Sequence, residues 1–457
     1  MKNKISYTFV LTVLVIGILW LLSYLPVIEF GETALRRVDL LSDIRQDEFE
    51  QSEVVEDSLP NLPLVKPEFV DSCKSGLTCI EDFSDSLQRG MLPFYAALSQ
   101  IDSLDRPVRI AYLGDSFIEG DIFTAHLRSL LQERWGGKGV GWVDITSQVY
   151  GFRPTVTHSF HGWESHISTD SVGFDRTLQG LSGRYFIPAG QAYVDLRGKK
   201  YLPHLDTCDV STFYFKAKSP VELTSQVNGS SHQRFYADTI GRLQQCRVEG
   251  RIGRVRWQVS QPDAMIAYGV AMEGTSGITV DNFSLRGSSG LSLAGVPMSH
   301  LRQFSSVRPY DLLVLQFGLN VANKRQRNYE SYYTGMLHVV KQLKHAFPDA
   351  GILVVGVGDR SVKDEFGELH TMDGIKHLIR YQRQIAADGA VAFWNLYEAM
   401  GGDGSMPQMV KANPPMANLD YTHINFRGGE HLAHFLYETI CYGYEQYEKR
   451  KAYEAAW

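Results

Sequence analysis

The chain is short of cysteine: five among 457 residues, with no Cys-x-x-Cys pair. That removes the ligand spacing of a structural zinc site. An excess of basic charge is missing too. The 45 Lys and Arg are outnumbered by 51 Asp and Glu, for a net charge of −6, so no global positive field points to nucleic acid. No internal repeat or low-complexity tract breaks the sequence. A phosphate loop is absent as well: Gly356-Val357-Gly358-Asp359-Arg360 lacks the Lys-Ser/Thr ending. Five cysteines are an odd number, so at least one stays unpaired within the monomer. Cys73 and Cys79 are close enough for a small loop, Cys208 and Cys246 could staple one β-rich region, and Cys441 falls on a helical pattern as a buried free thiol.

What is present begins with a long uncharged run. After Lys2 and Lys4, Ile5 to Ile28 carries no charge and is mostly apolar. As a helix it would reach about 36 Å, enough to cross a bilayer core. No small-residue cleavage pattern follows, so the expectation is an uncleaved, single-pass anchor in an inner membrane. The two lysines place its start in the cytoplasm and the body on the periplasmic side. From Glu29 to Pro67 the chain is acidic and broken by prolines, the composition of an extended stalk.

The body is 44% hydrophobic by whole-chain composition, ample for a large core. Phe83 to Ile101 has a helical pattern, and a first buried-type strand follows at Val108. Helical periodicity runs from Phe117 to Arg134. Thr155 to Glu273 then changes to short alternating runs separated by Gly, Pro, Asn and Asp, the pattern of an antiparallel β-sandwich. Strands and helices alternate again afterwards: Asp311 to Phe317, Tyr329 to Phe347, Gly351 to Val357, Asp373 to Asp388, Ala390 to Leu396 and Gly428 to Tyr447. Such alternation implies a largely parallel sheet, so the sandwich reads as an insert in an α/β domain.

Four short segments carry chemistry. Gly114-Asp115-Ser116 follows the run Val108 to Leu113 and opens a helical segment, the place where an α/β fold puts a nucleophile or an anion site. Val280 to Ser288 reads as a loop whose Gly287 leaves a backbone N–H free to approach a substrate. Gly318-Leu319-Asn320 follows a strand, where the Asn320 amide can donate to an oxyanion. Asp420-Tyr421-Thr422-His423 puts an acid three residues before a histidine, able to fix the imidazole tautomer for proton transfer from Ser116. Trp142, Trp163, Tyr185 and Tyr193 are candidates for stacking on sugar rings, each also suited to core packing. His431 and His434, at helical spacing, suit surface or structural roles better than metal binding.

In order and content these segments resemble the four blocks of the SGNH (GDSL-type) hydrolases, with Ser116, Gly287, Asn320 and His423 at the family's Ser, Gly, Asn and His. The chain departs at Val321, where many members have aspartate. The stretch Leu113 to Asp144, together with the insert, is similar to the bacterial peptidoglycan O-acetylesterases, which carry a carbohydrate-binding-like β module. That resemblance, over Phe83 to Tyr447, implies a three-layer, flavodoxin-like α/β domain with a parallel sheet and an inserted antiparallel sandwich, to which the apolar run adds the N-terminal transmembrane helix. Together, composition and resemblance divide the chain into an anchor (1–28), a stalk (29–82), a leading hydrolase segment (83–154), the insert (155–273) and a closing hydrolase segment (274–457). The resemblance implies catalysis by Ser116, Asp420 and His423, an oxyanion hole from Ser116, Gly287 and Asn320, and no metal or other cofactor. Implied partners are the membrane and an acetylated glycan, with no nucleic acid. The implied reaction is removal of O-acetyl groups from cell-wall glycan. A polysaccharide O-acetyltransferase using the same residues, and a tethered, non-catalytic glycan-binding protein, are the alternatives.

Overall fold

The computed structural model describes residues 2–22, 29–30, 33–34, 72–84, 90–170 and 172–456. It divides into two compact units, Met1–Pro67 and Glu68–Trp457. In the first, Lys2–Leu22 form a helix, and Glu29–Phe30 pairs antiparallel with Thr33–Ala34. Among the described residues no helix is long and apolar enough to cross a membrane. The span expected at 5–28 runs on through 23–28, which lie outside the described residues, as does most of the expected stalk.

The second unit is built on a six-stranded sheet. In chain order its strands are β1 (Glu81–Asp82), β2 (Val108–Gly114), β12 (Ile278–Ser284), β13 (Leu312–Gln316), β14 (Gly351–Val355) and β15 (Ala392–Trp394). The spatial order is β12-β2-β13-β14-β15-β1, parallel except for β1 at the edge. The parallel strands are buried nearly throughout, which explains the continuous Val, Ile and Leu runs of β13 and β14. Helix α1 (Leu92–Ser99) lies beside the long α6 (Phe426–Ala456), which also packs on α2 (Thr124–Trp135). Helices α3 (Met298–Val307), α4 (Glu330–Ala346) and α5 (Asp373–Gly389) form a second group. Of the helix expected over 83–101, the described residues show α1; residues 85–89 lie outside them.

The β-rich segment folds as an antiparallel sandwich. One layer has the order β4-β5-β10-β7-β8 (Val156–Ile167, Arg184–Gly198, Arg254–Val259, Val221–Val227, Gln233–Ala237). The other is β3-β11-β6-β9 (Gly141–Val143, Met265–Glu273, Cys208–Ala217, Leu243–Ile252). A single bridge, Phe186 to Ala267, links them. Phe213, Phe215, Val194, Leu223 and Trp257 fill the space between the layers, and the Trp257 indole donates to Ser211 Oγ at 3.1 Å. The opposite face of the second layer does not meet water. Trp142, Tyr214, Ile266 and Tyr268 enter the α/β core, with Trp142 5.3 Å from the Phe283 ring. The insert is therefore fused to the α/β domain through a buried, largely aromatic seam.

Two expectations change here. Val280 to Ser284 is not loop but the end of β12, paired in register with β2. Its polar residues are satisfied inside: Asp281 accepts from Arg308, Tyr310 and the Trp142 N–H, and Asn282 donates to Ile118 O and Thr124. Cys73 and Cys79 form a disulfide, whereas Cys208 and Cys246 are buried free thiols. They sit on neighbouring strands opposite Ile252 and Phe213, not opposite each other. Cys441 is a buried free thiol, as its helical position suggests.

Candidate active site

Register brings the site together. Gly114, the last residue of β2, lies beside Ser284 at the end of β12 and Gln316 at the end of β13. The chains leaving these three strands, which carry Ser116, Gly287 and Asn320, therefore emerge at one sheet edge. The first parallel strand in the chain has the second on one side and the third on the other. This is the switch point where open α/β sheets form a crevice.

At that edge Ser116 Oγ lies 3.1 Å from His423 Nε2. His423 Nδ1 lies 2.7 Å from Asp420 Oδ2. Donation from Nδ1–H to the carboxylate leaves Nε2 with its lone pair toward the serine hydroxyl. Asp420 also accepts the backbone N–H groups of Thr422 and His423 through Oδ1, each at 3.0 Å. Burial pushes the Asp420 carboxyl up, but the N–H groups of His423 and Thr422 outweigh it and hold the group below the usual carboxylate range. The loop is fixed from outside by Ser361 N–H donating to Tyr421 O and by Asn418 N–H donating to His423 O. Asn425, not Asp420, caps α6: its Oδ1 accepts from Arg427 and Gly428 N–H. Asp420 is thus free to serve the histidine. Both side chains remain open to solvent, 40% for His423 and 49% for Asp420.

Asn320 Nδ2 donates to Ser288 O at 3.0 Å, tying the end of β13 to the residue after Gly287. An amide group has two N–H donors, so one remains for a ligand. Gly287 has φ +79°, with open space where a Cβ would stand. All four residues expected from the sequence blocks thus lie on the loops of one edge, with Ser116 and His423 in direct contact.

Three acidic side chains support these loops: Asp115, by the turn hydrogen bond its place after Gly114 suggests, and Glu119 and Asp121, which sequence reasoning missed. Asp115 is buried and accepts from Phe117 N–H at 3.0 Å. Burial raises its carboxyl to about 6, against the pull of the Phe117, Leu319 and Gly318 N–H groups and of His423. It therefore links the Ser116 turn to the Asn320 loop. Glu119, three residues after Ser116, accepts from Arg286 Nε at 2.8 Å, just before Gly287. Asp121 is fully buried among Arg128, Arg153 and Thr155, and holds the turn down. Glu119 and Arg286 stand 167 positions apart, and Asp121 meets Arg128 and Arg153, 7 and 32 positions on, only through the fold, so charge spacing gives no signal for these pairs.

Of the four candidate stacking aromatics, two are ruled out. Trp142 is 1% exposed and Tyr185 2%, both in the seam between sandwich and α/β core. Trp163 and Tyr193 keep partial exposure on the outer layer. Among the described residues no group of three or more His, Cys, Asp or Glu is arranged to hold a metal ion.

The fold, a parallel α/β sheet with an added antiparallel β domain, is shared with a solved structure. Among solved structures, the chain is similar to a peptidoglycan O-acetylesterase: 23% identity, a TM-score of 0.65, and coverage of 80% of this chain and 99% of that one. Two other likenesses are much looser. A family two carbohydrate esterase from Clostridium thermocellum with cellohexaose covers 62% of this chain and 100% of its own at 11% identity and a TM-score of 0.26. A GDSL-like lipase from Parabacteroides merdae covers 36% and 73% at 14% identity and a TM-score of 0.26. No family model matches the sequence, and no curated protein matches it.

Proposed function

We propose that this protein is a serine esterase that removes O-acetyl groups from cell-wall glycan, peptidoglycan being the substrate, through an acetyl-serine intermediate. The observation that carries this reading is the hydrogen-bonded series Ser116, His423 and Asp420 at the carboxyl edge of the sheet. His423 Nε2 takes the hydroxyl proton as Ser116 Oγ attacks the ester carbonyl. Asp420 holds the ring and stabilises the imidazolium. The Ser116 and Gly287 N–H groups and the free Asn320 amide hydrogen receive the oxyanion. His423 then protonates the departing sugar hydroxyl, and a water activated by the same ring releases acetate.

Ser116→Ala tests the reading. Acetate release from O-acetylated peptidoglycan is expected to fall by at least about 10³-fold; near-wild-type release would overturn it. A wild-type enzyme that moves acetyl groups from a donor to glycan without freeing acetate would establish the transferase alternative. Binding of glycan with no turnover at all would establish the non-catalytic one.

The reading includes a location: the body outside the cytoplasm, tethered to the inner membrane by 5–28. The uncharged apolar run and the Cys73–Cys79 disulfide support it. Fractionation of cells expressing the chain with and without 1–28 tests it. Loss of the protein from the membrane fraction on deletion is the expected result.

A further inference from the structure

Beside the catalytic pair lies a group of aromatic rings that the mechanism does not use. Phe152 stands over Gly120, four residues after Ser116: a Cβ on that glycine would come within 2.6 Å of the Phe152 ring. Gly120 has φ +64°, so the turn itself also asks for glycine there. The Phe152 ring lies 5.1 Å from that of Phe426, three residues after His423. Tyr201 meets Phe426 edge-on at 6.3 Å. The three rings come from distant stretches of the chain: the segment between β3 and β4, the loop after β5, and the first turn of α6. They meet where the loops of Ser116 and His423 meet.

Their exposure is unusual for such a cluster. Phe152 is 51% exposed and Tyr201 38%, and Phe426 is half-buried. Phe152 is nevertheless held in place. The next residue, Arg153, donates to buried Asp121 at 2.8 Å, and the Phe152 N–H donates to Val149 O at 2.9 Å. Rings fixed by a buried ion pair and left half open form a contact surface prepared in advance. On the other side of Gly120 is a polar crevice of about 240 Å³, whose walls include Tyr150, Arg153, Asp144, Arg184 and Arg286.

We propose that Phe152, Tyr201 and Phe426 form a stacking platform for a pyranose ring of the glycan that carries the ester, next to the sugar whose acetyl group meets Ser116. This rests on the esterase reading and names how its substrate is held. A pyranose offers an apolar C–H face to aromatic rings and hydroxyls at its rim. Open rings bordering a polar crevice match that chemistry. A long acyl chain would need an enclosed apolar pocket instead. The rings are binding and positioning residues; none touches the reacting atoms in this structure.

The experiment compares two substrates in Phe152→Ala and Tyr201→Ala: acetylated peptidoglycan oligosaccharide of at least two repeats, and 4-nitrophenyl acetate. For Phe152→Ala, kcat/KM on the oligosaccharide is expected to fall about tenfold, mostly through KM, as expected for one lost stacking contact. That loss should exceed the loss on the small ester at least about fivefold, and Phe152→Trp should restore most of it. Equal losses on both substrates would overturn the proposal by showing a merely structural role. So would no loss on either, or a loss larger on 4-nitrophenyl acetate than on the oligosaccharide, which would place the rings at the acyl group and not at a sugar. Ser116→Ala runs in parallel. If it keeps its activity, the esterase reading itself fails; if it is inactive while Phe152→Ala keeps wild-type selectivity, only the platform fails.

Discussion

Asn320 and Asp420 show how little freedom the site leaves to single side chains. Asp420 uses one oxygen to receive two backbone N–H groups of its own loop and the other to orient His423. Asn320 uses one amide hydrogen to bind Ser288 O, which leaves the other for the oxyanion in the proposed reaction. Asn320→Ala is expected to lower kcat on an acetyl ester by about 10²–10³ with a smaller change in KM; a loss under about threefold would remove it from the oxyanion hole. These residues were legible because each stands at or near the end of an apolar run, where strand meets loop, or within a short acid–histidine loop. The aromatics were not. Trp142 and Tyr193 both belong to β-rich sequence, and only the packing of one sandwich layer on the α/β core buries the first. Phe152 and Phe426 carry no local signal at all, because their meaning lies in a contact between segments more than two hundred residues apart.

At the scale of elements, catalytic geometry depends on strand ends and one close helix approach. The shared register of Gly114, Ser284 and Gln316 places three loops side by side. The fourth is set by α6, whose first turn crosses the chain leading from Ser116 into α2. A Cβ on Gly429 would lie 1.9 Å from the Ile122 carbonyl oxygen, so backbone must move to admit one. Gly429→Ala should cost about 1–3 kcal/mol in urea unfolding and reduce esterase turnover as well, because α6 follows directly on His423. Gly253→Ala, where an added Cβ meets only ordinary contacts at 3.6 Å and beyond, should stay within about 0.5 kcal/mol of wild type. Equal stability of the two variants would contradict the close approach. The helices and parallel strands were readable from apolar periodicity. β12 was not, since Asp281 and Asn282 interrupt its pattern and their partners Arg308 and Thr124 lie far away or on another element.

For the body as a whole, the decisive feature is the buried charge cluster that joins sandwich to α/β sheet. Glu273, the last residue of β11, receives Arg109 from β2 and Arg308 from the end of α3. Arg308 also reaches Asp281 and the Tyr214 hydroxyl, so one guanidinium touches both sheet and sandwich. Burial pushes the Glu273 carboxyl up, but the two arginines outweigh it and bring it down to about 2. A carboxylate whose folded pKa lies below its unfolded value stabilises the fold above the unfolded pKa, and the gain disappears as pH falls. For Glu273 the window runs from about 4.5 down to about 2. Glu273→Gln leaves Arg109 buried without its charge partner and Arg308 with Asp281 alone, which should cost about 3–5 kcal/mol at neutral pH. The same change should flatten the acid limb of stability across that window, because the group that titrates there has gone. Urea midpoints measured from pH 7 to pH 2 on both proteins decide the matter. An unchanged acid limb in the variant would mean that the seam draws its strength from Trp142, Tyr214 and Tyr268 alone, with the charges merely accommodated. A flattened limb together with lost activity would mean that the ion cluster locks the insert to the sheet edge, and with it the segment that carries Phe152.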